Sequence, residues 1–417
     1  MTSLSTKLAH RETTSTPIRV GLIGAGKFGS MYISQAHRTP GVRLAGIADL
    51  SPDRALAALK RTGYPPDKYD DTASLSLSEG IQAGKTAILT NSETLIAHPE
   101  IDVILEVTGN PAAGVKHALL CCEHKKHIVM INVEADVLAG PLLTRKAKEA
   151  GIIYSMAYGD QPALIAELVD WARTAGFDVV CAGKGTKHLP EYHYSTPETV
   201  WDYYGFSEEQ LKTGDFNAQM FNSFLDGTKS ALEMAAVANG CDLRPPAEGL
   251  RFPPCSAHDM PEVLKPAEEG GVLDRKGTVE VISCLETDGR AVFNDLRWGV
   301  FVVIEGMVRS WINNVVVLTL NSARSISERV LLPIRHENRQ VWPLCSTVQA
   351  LPLDRPRARC LRSDNNVSWG AHWPVPNIRR RCCGDCQARS ESWGEAGRRR
   401  RLHGIWQALS SSEITGN

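Results

Sequence analysis

Short apolar runs alternate with longer amphipathic stretches up to about Glu305, the pattern of strands joined by helices. Ile18–Ile23, Val42–Ala48, Glu100–Thr108, His127–Ile131 and Gly151–Ser155 read as strands of a parallel sheet buried on both faces. Between them lie helix signals such as Ser51-Pro52-Asp53-Arg54 and the apolar stretch Ala113–Cys122. This predicts an α/β fold, a doubly wound parallel sheet of the Rossmann kind, over residues 17–157. A second block, 158–306, reads as an α+β domain. It opens with a helix after Tyr158-Gly-Asp160-Gln161-Pro162, followed by a strand over Phe177–Ala182 and a turn, Gly183-Lys184-Gly185-Thr186-Lys187-His188. One long helix is expected over Asp215–Ala236. Gly277–Leu285 and Trp298–Ile304, separated by Glu286-Thr-Asp-Gly289, are expected to add an antiparallel sheet.

The pattern then stops. No lysine follows Lys276, arginine is dense at Arg379–Arg381 and Arg398–Arg401, and six of the nine tryptophans lie beyond residue 310 without a periodic face. An irregular, non-native-looking and poorly ordered tail is expected over 307–417. At the other end, residues 1–16 are rich in Ser and Thr and carry Lys7, His10 and Arg11. They are expected to be a disordered leader, although a transit peptide is the competing reading.

Composition narrows the class. A net charge of −1 argues against nucleic acid and anionic membranes as partners. No apolar run reaches the roughly 18 residues that span a bilayer. Eleven cysteines without a regular framework suggest reduced thiols in a cytoplasmic enzyme. Cys382-Cys383 with Cys386 lacks the partners of a metal tetrad, so no metal ligand is assigned.

The chemistry begins where the first strand runs into Gly24-Ala-Gly26-Lys27-Phe28-Gly29. Gly24 makes the tight turn, Gly26 lets the backbone approach a pyrophosphate, and Gly29 lets the helix pack against its strand. The helix N-terminus then offers free N–H groups to the phosphates. Asp49, about 20 residues on, is placed to bind a ribose hydroxyl and argues for NAD, whereas Arg54 argues for NADP. Ligands of open α/β sheets sit at the carboxyl ends of strands, so Thr108, Gly109, Asn132 and Glu134 should line the nicotinamide pocket. Glu134 could instead cap the following helix. In the second domain, Lys184 and Lys187 on a glycine-containing turn would form an anion site. Asn222, Asp226, Lys229 and Glu233 follow i, i+4, i+7, i+11 spacing and would share one helix face beside Phe221, Phe224 and Leu225. A partly buried lysine there would have a depressed pKa and could hand a proton to a carbonyl oxygen. An Asp226–Lys229 surface pair is the plainer reading.

The glycine motif, the Gly183–Lys187 turn, Asp226-Gly-Thr-Lys229-Ser with Glu233-Met234, and Asp295-Leu-Arg-Trp-Gly-Val-Phe-Val-Val303 resemble homoserine-dehydrogenase-like oxidoreductases. Among these they most resemble the 1-deoxyxylulose-5-phosphate reductoisomerase-like branch, whose members often end in an SAF-like module. The resemblance covers about residues 17–305. It implies NAD(P)-dependent oxidation or reduction of a small hydroxy-carbonyl substrate, phosphorylated or not, and it allows a divalent metal and a homo-oligomer. Lys229 would be the proton donor or acceptor, Lys184 the anion clamp, and Asp226 and Glu233 members of the same helical motif. A catalytically inactive coenzyme sensor or scaffold is the alternative class. The tail departs from this family's usual ending. Read one nucleotide later, the codons of Cys345–Cys360 and Cys386–Trp406 permit sequences that do resemble it. Gly306-Met307 can encode a splice donor, Leu318-Thr319 a branch site and Asn321-Ser322 an acceptor. A retained intron in a eukaryotic gene, with a frame-shifted tail, is therefore expected.

Overall fold

The structure, a computed structural model, describes residues 3–213, 216–306 and 316–321. The chain opens with helix α1 (Leu4–Thr13), which corrects the expectation of a disordered leader. None of its side chains is buried, and it is tied down by polar contacts. The Glu12 carboxylate accepts from Gly41 N at 2.7 Å and from the Arg43 guanidinium at 2.5 Å.

The parallel domain follows in order: β1 (Ile18–Ile23), α2 (Lys27–Ala36), β2 (Val42–Ala48), α3 (Pro52–Arg61), α4 (Leu77–Gln82), β3 (Ala87–Leu89) and α5 (Ser92–Ala97). It continues with β4 (Val103–Glu106), α6 (Pro111–Glu123), β5 (His127–Met130), α7 (Val133–Ala150) and β6 (Tyr154–Met156). Its six strands lie in the order β3-β2-β1-β4-β5-β6, and every pair is parallel. Apolar side chains fill both faces. Leu22, Ile33, Ile47 and Leu59 form the core under α2 and α3, while Ile96, Ile104, Met130 and Leu143 form the core under α5, α6 and α7. The order in which strands are added to the sheet reverses between β1 and β4, which opens the crevice where such sheets bind ligands.

The second domain comprises α8 (Gln161–Thr174), β7 (Asp178–Thr186), α9 (Val200–Tyr204), α10 (Glu208–Thr213), α11 (Ala218–Leu225) and α12 (Thr228–Cys241). After these come α13 (Met260–Val263), β8 (Thr278–Ser283), β9 (Gly299–Glu305) and β10 (Val316–Asn321). Its sheet has the order β10-β9-β7-β8. β7 lies between β8 and β9, parallel to the first and antiparallel to the second, so the expected antiparallel sheet is in fact mixed. α8 and α12 cover one face, where Val169, Val237, Val281 and Val302 interdigitate. α12 also packs against α7, which joins this layer to the parallel domain.

Two further expectations change. The Gly183–Lys187 segment is not a turn, because β7 runs on through Thr186. A Cβ at Gly183 would collide with the Glu280 carbonyl and one at Gly185 with the Leu296 carbonyl, so these glycines admit neighbouring backbone, not an anion. The expected single helix over Asp215–Ala236 is two helices, α11 and α12, broken at Asp226-Gly227, where Gly227 takes φ +90°. β10 pairs antiparallel with β9 and lies beyond the boundary expected at 306. The rest of the expected tail, with the Cys382-Cys383-Cys386 group, falls outside the described residues.

Candidate functional site

The glycine turn joins β1 to α2. Gly24 has φ +104°, which favours glycine, and its N–H bonds to the Ala48 carbonyl at 2.8 Å. A Cβ at Gly29 would sit on the Gly24 carbonyl oxygen, so α2 can pack here only without one. Gly26 has nothing within 4 Å of a would-be Cβ and is the N-cap of α2 without a side-chain cap. Open space and uncapped N–H groups thus meet at one point, which suits a pyrophosphate. Lys27 and Phe28 form the first turn of α2, with Phe28 half exposed.

Asp49 follows β2 and is buried. One carboxylate oxygen accepts from Ala25 N at 2.8 Å and the other from Ser51 N at 2.9 Å, with the Arg54 guanidinium 3.7 Å away. Asp49 therefore fixes the glycine turn, and Arg54 offsets its charge.

Across the crevice, Gly109 takes φ +68° and Asn110 caps α6 through Ala113 N at 3.0 Å. Asn132 caps α7 through Ala135 N at 3.1 Å and bonds to Thr108 Oγ1 at 3.3 Å and to the Asn110 carbonyl at 2.8 Å. Thr108, Gly109 and Asn132 are thus brought together at the strand ends. The cap of α7 is Asn132, which corrects the capping reading of Glu134; Glu134 is half-buried in the first turn.

In the second domain, Lys184 points from β7 toward α8 and α12. Its ammonium donates to the Glu233 carboxylate and, at 2.8 Å, to Gln161 Oε1. Lys229 Nζ is 3.8 Å from the other Glu233 oxygen, beyond hydrogen-bond length, and its side chain is 18% exposed. Two ammonium groups and one carboxylate leave one surplus positive charge. Lys187 does not join them: it donates to the Tyr203 carbonyl at 2.8 Å and lies over the Tyr192 and Tyr204 rings. Asp226 is not paired with Lys229 either. Its carboxylate accepts from Asn222 Nδ2 at 3.0 Å and Thr228 N at 2.8 Å, shaping the break between the helices.

Beside this group a small cavity, lined by Met130, Val133, Asp136, Met156, Asp160 and Ala236 among others, opens between the parallel sheet and α12. Gln161 adjoins its lining residue Asp160 in sequence, and Ala236 lies one turn from Glu233 on α12. Gln161 also donates to the Trp298 carbonyl at 3.4 Å, and Trp298 has φ +66°, a strained value for a bulky residue. The sequence reading passed over Gln161 and Trp298, and also His188, whose ring stacks on Phe252 at 4.1 Å. Burial holds the His188 imidazole down to about 4, helped by the nearby His193. A polar residue at the strand-to-helix junction was the one available signal for Gln161. Among the described residues no group of three or more His, Cys, Asp or Glu is arranged to hold a metal ion. The described cysteines form no disulfides.

Comparison with known proteins accords with this geometry. Residues 18–131 match the oxidoreductase family with an NAD-binding Rossmann fold, and residues 159–325 match the catalytic domain of the oxidoreductase DRL. The two matched segments coincide with the parallel domain, a Rossmann-type NAD-binding fold, and with the second domain. A curated relative, the 1-deoxy-D-xylulose 5-phosphate reductoisomerase of Stutzerimonas stutzeri, is 28% identical over 149 residues, covering 33% of this chain and 37% of that protein. The match thus spans little more than a third of the relative's length. Similar solved structures include a probable dehydrogenase from Thermotoga maritima, at 17% identity over 69% of this chain and 72% of that one, TM-score 0.35. A DOX-P reductoisomerase in complex with magnesium shows 18% identity over 55% of this chain and 58% of that one, TM-score 0.35.

Proposed function

We propose that the protein is an NAD(P)-dependent oxidoreductase that reduces or oxidises a small, anionic hydroxy-carbonyl compound. The observation that carries this is the Lys184–Glu233–Lys229 cluster, two ammonium groups on one carboxylate between β7 and α12, in a chain that also carries the glycine turn. The finer placement, in the homoserine-dehydrogenase-like group near the SAF-containing reductoisomerase branch, draws support from the partial match to the Stutzerimonas enzyme.

A nicotinamide coenzyme, held at the glycine turn, would supply or take the hydride. Glu233 holds Lys184 in place and Gln161 braces it, so Lys184 contributes fixed positive charge toward an anionic group. Lys229, whose N–H donors are not spent on Glu233, gives a proton to the substrate oxygen as hydride reaches the carbon, or takes one in reverse. A surplus charge in a partly buried site also raises the local concentration of an anion.

A panel of phosphorylated and unphosphorylated hydroxy-carbonyl compounds with NADH and NADPH, read at the nicotinamide absorbance, tests the reading. Turnover is expected with an anionic member. Coenzyme binding without turnover across the panel would mark a sensor or scaffold instead.

A further inference from the structure

Glu106 is the last residue of β4 and lies in register with Ile23, the residue before Gly24. Its side chain is 0% exposed at the strand end that flanks the crevice. One carboxylate oxygen, Oε1, accepts from the Thr108 hydroxyl at 2.5 Å and pairs with His117 Nδ1 at 3.2 Å. The other, Oε2, is buried without a partner. With its hydrogen on Nδ1, His117 is left to accept the Ser92 hydroxyl at Nε2, 2.9 Å away. None of the chemistry proposed above uses this group.

We infer that Glu106 is a specificity-determining residue for the oxidation state of the coenzyme, holding a negative charge behind the nicotinamide pocket. It rests on the coenzyme reading above. The oxidised nicotinamide ring is a cation and the reduced ring is neutral. A fixed carboxylate in a poorly screened site therefore favours the oxidised form, and it favours hydride leaving the coenzyme toward substrate. Thr108, bonded to both Glu106 and Asn132, joins that carboxylate to the pocket wall.

The test is equilibrium binding of oxidised and reduced coenzyme to wild type and Glu106→Gln, without substrate. The glutamine keeps an acceptor for Thr108 and His117 but removes the charge. Oxidised coenzyme is expected to weaken by about fivefold or more relative to reduced coenzyme. A residue with only a structural role would weaken both by the same factor, and that result overturns the inference while leaving the coenzyme reading intact. Wild type that binds neither form overturns both. If Glu106→Gln does not fold, His117→Gln, which keeps the carboxylate, decides. Its ratio of affinities should stay at the wild-type value or move toward the oxidised form, and a move toward the reduced form contradicts the inference.

Discussion

At Gly26 the backbone takes φ −73°, which any residue can adopt, and no described atom stands within 4 Å of a Cβ position. On the proposed function, this space takes the coenzyme pyrophosphate. Gly26→Val should therefore leave the melting temperature within a degree or two while weakening coenzyme binding by about a hundredfold or more, measured by calorimetry and titration side by side. Gly29→Ala should do the reverse first, costing about 1–3 kcal/mol of stability because its Cβ meets backbone. His188 carries a second residue-scale prediction. Its imidazole titrates near 4 when folded, against an ordinary value of 6.5, so the unfolded chain binds the proton more readily. Its contribution is fully present above pH 6.5 and is lost as pH falls from 6.5 toward 4, on the order of 3 kcal/mol. Denaturant melts of wild type and His188→Phe across that window check it: the variant should show the shallower loss.

Between elements, the break at Asp226-Gly227 places Lys229 in the first turn of α12 and puts Glu233 on the next turn, facing Lys184. Gly227 has φ +90°, and an added Cβ would lie 3.2 Å from the His193 ring. Gly227→Ala should destabilise by about 1–2 kcal/mol, read by melts, and lower turnover more than coenzyme affinity because it shifts Lys229. The parallel domain was legible from its uniformly apolar strands, and the coenzyme turn from glycines whose spacing is set by local geometry. The second domain was less so. Apolar periodicity runs through Asp226-Gly227 without a break, and only the Asx turn from Asp226 to Thr228 N stops the helix. Gly183 and Gly185 read as turn residues because the backbones that crowd them, at Glu280 and Leu296, are about a hundred residues away in sequence. The lysine cluster is the same case: Lys229 and Glu233 are legible on one helix, whereas Lys184 reads as a turn residue and only the fold of β7 brings it beside Glu233.

For the whole molecule, the DRL catalytic match runs to residue 325, past the change in composition near Gly306. Retention of an intron there predicts transcripts in which the codons between Gly306 and Ser322 are removed. Sequencing the mRNA checks this, and a dominant message that reads through Val308–Asn321 contradicts it. Among the described residues no helix is long and apolar enough to cross a membrane. The proposed function divides the labour between the two domains: the glycine turn would hold the coenzyme and the lysine cluster would handle the proton. The measurement that tests this most directly is the consumption of reduced coenzyme, with the best anionic substrate of the panel, by wild type, Gly26→Val and Lys229→Met. The account predicts turnover by wild type, none by Gly26→Val for want of coenzyme, and a loss of about a hundredfold or more in Lys229→Met with coenzyme binding unchanged. Turnover by Lys229→Met within a few-fold of wild type would contradict it.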